Sequence, residues 1–168
     1  FAQVSHEYLI EQVQHTGGEA IDANATTKSV TLTFNHPVKA LFWNGILAAT
    51  TAYKAKLQLN GHDRFSEQDA MYFTGVQPYE CGLRHPVNSA AAATDLSTTC
   101  GQAGMYSFCL KPAEHQPSGT CNFSRIDNAR LVLSGIAGNT SASTLNVFAM
   151  NYNVLRIMSG MGGLAYSN

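Results

Sequence analysis

The chain has 168 residues, ten basic and eleven acidic, for a net charge of −1; with no clustered Lys or Arg to neutralise phosphates, a nucleic-acid grip is excluded. Hydrophobic residues make up 45%, enough for one well-buried domain, whereas charged residues reach only 12%, about half the usual share. Ser, Thr and Asn fill 39 positions, so the polar surface is mostly neutral, the composition of a surface that is covered in an assembly rather than kept soluble by charge.

Alternation with a period of two dominates. Val4, His6, Tyr8 and Ile10 predict a first strand, followed by turn chemistry at His15-Thr-Gly-Gly18. Val30, Leu32 and Phe34 predict a second, closed by Asn35-His-Pro37, and Val38 to Trp43 a third. The most apolar stretch, Val38 to Ala49, is broken by Lys39, Asn44 and Gly45 and is far short of the roughly 20 residues that span a bilayer. No transmembrane segment is expected. Ala55, Leu57 and Leu59 alternate with Lys54, Lys56 and Gln58 in a fourth strand, ending at the Asn60-Gly61 turn.

Only one stretch predicts a helix: Ser66 to Gln77, with Ser66 and Asp69 in a capping-box spacing and Pro78 at its end. Pro86 to Gly104, with four consecutive alanines, is expected to be a long surface loop. Tyr106, Phe108 and Leu110, then Arg130 to Ser134, then the long run Thr144 to Met158 complete about seven strands. In the last run Phe148, Met150, Tyr152 and Val154 share one face while Leu145, Val147, Ala149, Leu155 and Ile157 share the other, so both faces are candidates for burial. Many short strands with one minor helix predict an all-β, antiparallel sandwich or jelly roll occupying residues 1–168 as a single domain. The first residue is Phe1, with no leader-like pattern behind it, as expected of an excised part of a longer polypeptide.

Chemistry is sought along the same chain and mostly not found. Cys81, Cys100, Cys109 and Cys121 form no Cys-x-x-Cys pair; free thiols are favoured over any of three disulfide pairings. The six histidines never approach the spacing of a cupin-type metal site, and His62-Asp63 with Glu67 and Glu114-His115 are expected to be a local turn and a solvated turn. No Gly-x-Ser-x-Gly elbow exists, and Gly160 to Gly162 has too little chain after it to be a dinucleotide fingerprint, so a terminal tail is expected there. No catalytic residue, metal or cofactor is expected. Asn24, Asn122 and Asn139 head sequons and are the candidate glycosylation sites. Trp43 is expected in the core rather than stacking a sugar.

Four segments carry a resemblance: Leu59 to Glu67, Gln77-Pro-Tyr79, Tyr106 to Ala129 and Asn151 to Asn168. In this order they resemble the C-terminal domain of the major capsid protein of large nucleocytoplasmic DNA viruses, of the phycodnavirus, mimivirus and iridovirus type. Glu80 to Gly104 departs from the family pattern. The resemblance implies an eight-stranded jelly roll with one short helix, the second roll of a double jelly roll. It further implies a structural, non-enzymatic virion protein whose partners are itself, as a homotrimer forming pseudo-hexagonal capsomers of an icosahedral shell, neighbouring capsomers and minor capsid proteins. Beside it stand Pro117-Ser-Gly119 as a tight turn and Arg125 with Asp127 as a local ion pair. The alternative is a carbohydrate-binding jelly-roll module using Trp43 and loop tyrosines such as Tyr79.

Overall fold

The computed structural model describes residues 3–46, 53–83, 103–136 and 142–166. Two antiparallel sheets face each other. The first contains β1 (His6–Ile21), β10 (Ser143–Met158), β3 (Pro37–Asn44) and β7 (Ala103–Ser107), in that spatial order. The second contains β2 (Thr27–Thr31), β9 (Ala129–Ser134) and β4 (Lys54–Leu59). Two fragments, β5 (His62–Asp63) and β6 (Gln68–Asp69), share the outer edge of β4 as one broken strand. Counting that edge once gives four strands per sheet among the described residues, with chain neighbours dealt alternately to the two sheets except for β4 and its edge, which a hairpin joins within the second sheet. This interleaving is the jelly-roll order. Short β8 (Cys121–Asn122) and β11 (Met161–Leu164) extend the first sheet on β3 and β10.

The alternation read from the sequence sorts the side chains. Leu145, Val147 and Ala149 of β10 point inward with Leu41 and Trp43 of β3, against Val30, Ala55, Leu57, Leu131 and Leu133 of the second sheet. Trp43 is 1% exposed; its indole Nε1 donates to the Tyr53 hydroxyl at 3.3 Å and its ring meets Phe73 edge-on. Gly104 permits this, because a Cβ there would lie 2.3 Å from the indole.

Turn chemistry acts where expected at Asn60-Gly61, whose φ values of 51° and 81° suit the two-residue hairpin between β4 and β5. The tail after β10 also folds back, through Ser159-Gly160, into β11. Other expectations are corrected. His15-Thr-Gly-Gly18 does not turn the chain; it is a bulge within β1, which pairs with β10 on both sides of it. The helix does not begin at Ser66. Gln68 and Asp69 pair with β4, and the Ser66 hydroxyl accepts from the Gln68 side chain instead of capping. The helical stretch is a π-turn, Tyr72–Val76, continued by α1 (Gln77–Glu80), with Pro78 inside its first turn rather than beyond its end. The strand expected around Tyr106 to Leu110 starts earlier and stops at Ser107, whose hydroxyl bonds the backbone of Cys109 and diverts the chain. The loop expected from Pro86 lies almost wholly outside the described residues.

Candidate assembly surface

The sites weighed from sequence are dispersed. His62, Asp63 and Glu67 are exposed, and Asp63 is tied to Gln58 and Lys56, which hold its carboxyl below the ordinary value. No group of three potential metal ligands gathers among the described residues. Cys81, Cys109 and Cys121 are free thiols, and burial pushes Cys81 and Cys121 up, away from thiolate chemistry. Cys100 and Asn139 lie outside the described residues. Asn24 is exposed in a left-handed turn with φ 62°. Asn122 is exposed too, but its side-chain oxygen accepts from the Ser124 backbone N–H. Arg125 and Asp127 do not pair; the Asp127 and Asn128 backbone N–H groups are instead held by the Asn60 side-chain oxygen. Trp43 is in the core and offers no sugar platform, while Tyr79 stands alone at 85% exposure.

The outer face of the first sheet is where the sequence puts its unusual residues. Direct cross-strand neighbours lie on one face. Leu9, Val13 and His15 of β1 oppose Val154, Met150 and Phe148 of β10, and Phe42 of β3 continues the row. Val13 is 65% exposed, and His15 stacks on Phe148 with ring centroids 4.5 Å apart. A contiguous apolar strip on a sheet's outward side marks a surface meant to be covered.

On the same face a lysine is buried. Lys39 sits in the bulge between β3 and β10, and its side chain is 1% exposed. Its Nζ donates to Glu11 Oε1 at 2.5 Å and to the Glu114 carbonyl at 2.9 Å, and lies 5.0 Å from the Tyr152 ring centroid. Tyr152 in turn donates its hydroxyl to the His115 carbonyl. Burial draws the Lys39 pKa down, but the hydrogen bonds and charge of Glu11 and Tyr152 outweigh it, and the group is held above the ordinary lysine value. The loop following β7 is thus clasped onto the sheet through the Glu114 and His115 carbonyls, while the Glu114 and His115 side chains stand in solvent on a turn closed by the Glu114 N–H on the Lys111 carbonyl, as expected of them. Inside it Ser118 Oγ accepts from the Lys111 N–H, and Gly119 adopts φ 136°, where a Cβ would lie 3.1 Å from the Phe108 carbonyl oxygen. The tight turn expected at Pro117-Ser-Gly119 does not form; the chain turns at Pro112-Ala113, and Ser118 instead ties back to Leu110 and Lys111. The one signal of the clasp in the sequence was a lysine interrupting the apolar run of β3.

Comparisons with known proteins agree with this architecture. A family described as large eukaryotic DNA virus major capsid protein matches residues 1–49 and 46–163. The major capsid protein of Pyramimonas orientalis virus is 54% identical over 100% of this chain and 45% of its own length. That of Paramecium bursaria Chlorella virus 1 is 40% identical, over 100% and 50%. The chain spans about half the length of the curated relatives it matches. Among solved structures, a quasi-atomic model of the PBCV-1 virus capsid superposes with a TM-score of 0.78 at 38% identity, covering 99% of this chain and 53% of that one. The Faustovirus major capsid protein, at 13% identity and a TM-score of 0.59 over 89% of this chain and 33% of its own, shares the fold.

Proposed function

The chain belongs to the large eukaryotic DNA virus major capsid protein family, and from that premise we propose that it is the C-terminal jelly roll of a longer, non-enzymatic shell subunit that assembles as a homotrimer. The observation that carries this reading is the apolar outer strip Leu9–Val13–Phe148–Met150–Phe42, which supplies a surface for another roll or another subunit. The trimer builds pseudo-hexagonal capsomers of an icosahedral virion, with neighbouring capsomers and minor capsid proteins as further partners. Neutral Ser, Thr and Asn surface suits such contacts because it is buried without the desolvation cost of unpaired charge. Of the sequons, Asn24 has the setting best suited to carry sugar, since its side chain is exposed at a turn tip.

Light scattering on the full-length polypeptide, at low and high ionic strength, tests the reading. A trimer at both salt concentrations is expected, because few charge pairs are present to screen. A stable monomer at micromolar concentration under both conditions overturns it.

A further inference from the structure

Two thiols meet at one hydroxyl beside the end of β7. Cys109 follows that strand, and its Sγ lies 3.4 Å from Ser107 Oγ. Cys81 closes α1, its N–H on the Gln77 carbonyl at 3.0 Å, and so shares the helix face of Gln77 one turn on. That face is docked on β7, because Gln77 Oε1 accepts from the Ser107 N–H at 3.2 Å. The Cys81 side chain thereby reaches the same Ser107 hydroxyl. No group of three metal ligands gathers among the described residues, so the chemistry open to this pair is that of thiols.

The hydroxyl does not satisfy both sulfurs. Its proton goes to the Cys109 carbonyl at 2.7 Å, and one of its two lone pairs takes the Cys109 N–H at 3.2 Å. A single acceptor site is left for two S–H groups. Cys109 is 8% exposed, so water is a poor substitute partner on its side. Oxidation of the pair removes both S–H protons and ends the competition. Cys81 is only half-buried and ends its helix, before Gly82 at φ 69°, which leaves its χ1 free to turn the sulfur between rotamers. Cys121 stands apart: it packs against the core with Tyr106, whose side chain leaves β7 on the side opposite Ser107.

We propose that Cys81 and Cys109 are a reversible disulfide pair, reduced in a compartment poised like the cytosol and joined when the folded chain meets an oxidising medium, a staple from the end of α1 to the end of β7. That a shell passes from the first setting to the second on leaving a cell rests on the reading of the chain as a virion protein; the bond itself does not. The oxidant is a small-molecule disulfide such as oxidised glutathione. The Cys81 thiolate attacks one glutathione sulfur and expels the other as a thiolate, which takes up the proton that Cys81 gave up. The Cys109 thiolate then attacks Cys81 Sγ, forming the protein S–S bond and releasing the second glutathione, which takes up the Cys109 proton. Two protein thiols are oxidised, one glutathione disulfide is reduced to two thiols, and two electrons pass. Burial holds the Cys81 thiol up, so the exchange is slow at neutral pH and quickens as pH rises, which suits a structural link and not a catalyst.

Peptide mass mapping of the folded full-length polypeptide tests it, with free thiols trapped by alkylation after equilibration in two glutathione buffers. One buffer is poised like the endoplasmic-reticulum lumen and the other like the cytosol. The Cys81–Cys109 peptide, two hydrogens lighter than its separate halves, is expected to be at least about tenfold more abundant in the first, with Cys121 alkylated in both. Cys109→Ser should leave Cys81 as a mixed disulfide with glutathione, and Cys121→Ser should keep the link. Cys81 and Cys109 alkylated in both buffers, equal linkage in both, a more abundant link from either to another cysteine, or the same pairing frequency in the urea-unfolded chain each overturn the proposal. None of these outcomes bears on whether the polypeptide is a trimer by light scattering, so failure of the bond and failure of the shell reading are told apart.

Discussion

The two sheets of the sandwich contribute the same kind of inner face and opposite outer faces. On the second sheet the outward rows read Thr27–Ser134–Lys54, Ser29–Val132–Lys56 and Thr31–Arg130–Gln58. Val132 is the single apolar residue in these nine positions, and Lys56 is paired to Asp63. The first sheet presents Leu9, Val13, Phe148, Met150 and Phe42 in the equivalent places, and its one lysine is buried under a loop. The outer face of the first sheet keeps one exposed ion pair, Glu7–Arg156, at the end of the apolar rows, while Lys39 is an internal tie; the second sheet carries its charges outward along its whole length. The low overall charge of the chain is therefore unevenly distributed, and the uneven part is informative.

The comparison breaks hardest at Lys39. Lys39→Ala strands Glu11 and the Glu114 carbonyl and releases the loop, at an expected loss of about 2–4 kcal/mol, tempered because Glu11 keeps 31% exposure. Urea unfolding measures it, and faster tryptic cleavage at Lys111 reports the freed loop independently. A loss below about 0.5 kcal/mol would mean that the clasp is incidental.

Gly104→Ala attacks the interior shared by both sheets. The new methyl meets the Trp43 indole, and a loss of about 1–3 kcal/mol is expected, with a shifted tryptophan emission maximum. An unchanged melting temperature would contradict the packing described.

Alkaline pH gives the next effect. Lys39 has a raised pKa, so its stabilising charge is complete below the ordinary 10.5 and is lost as pH rises through the higher folded value. Burial also holds Tyr53 and Tyr106 above 10.0, so their contribution falls in the same direction. Stability should therefore be level through neutral pH and decline above about pH 10, more steeply in the native chain than in Lys39→Ala. Parallel declines in the two proteins would assign the whole effect to the tyrosines.

The smallest effect on folding separates the two outer faces most cleanly. Val13→Glu and Ser29→Glu should each change stability by no more than about 0.5 kcal/mol, both being at exposed sites. Only Val13→Glu should weaken assembly of the full-length polypeptide, read by sedimentation. Equal weakening by both would erase the distinction between the sheets.

Inner sides were legible because each rests on local alternation: Val30-Thr31-Leu32 or Ala55-Lys56-Leu57 declares its buried residues without reference to a partner, although the strand expected over Val30, Leu32 and Phe34 is Thr27–Thr31 and Leu32 and Phe34 are buried beyond its end. What failed were features decided by a distant neighbour. Ser66 and Asp69 have cap spacing, yet β4 claims Gln68 and Asp69 first. His15-Thr-Gly-Gly18 has turn composition, yet β10 holds both flanks in line and leaves only a bulge. The clasp was illegible for the same reason, since Glu11, Lys39, Glu114 and Tyr152 meet only after three strands and a loop are assembled. The resemblance reached the family through the segment from Tyr106 to Ala129, which carries that loop and the turn bearing Arg125, but it gave no hint that Lys39 anchors it.

The pairing of β1 with β10 also sets a clock. His6 waits for Ile157, about 150 positions later in the chain, and at roughly 5–20 residues per second a ribosome takes on the order of 10–30 s to deliver it. Throughout that interval β1 is made but has no neighbour, with Leu9 and Val13 uncovered and its backbone edge open to any other strand. Nascent copies crowded on one message are then one another's nearest competitors for that edge. Yield of folded protein should rise with slower initiation or with a chaperone that shields the early strand, a property that follows from the order of the strands and not from how stable the finished sandwich is.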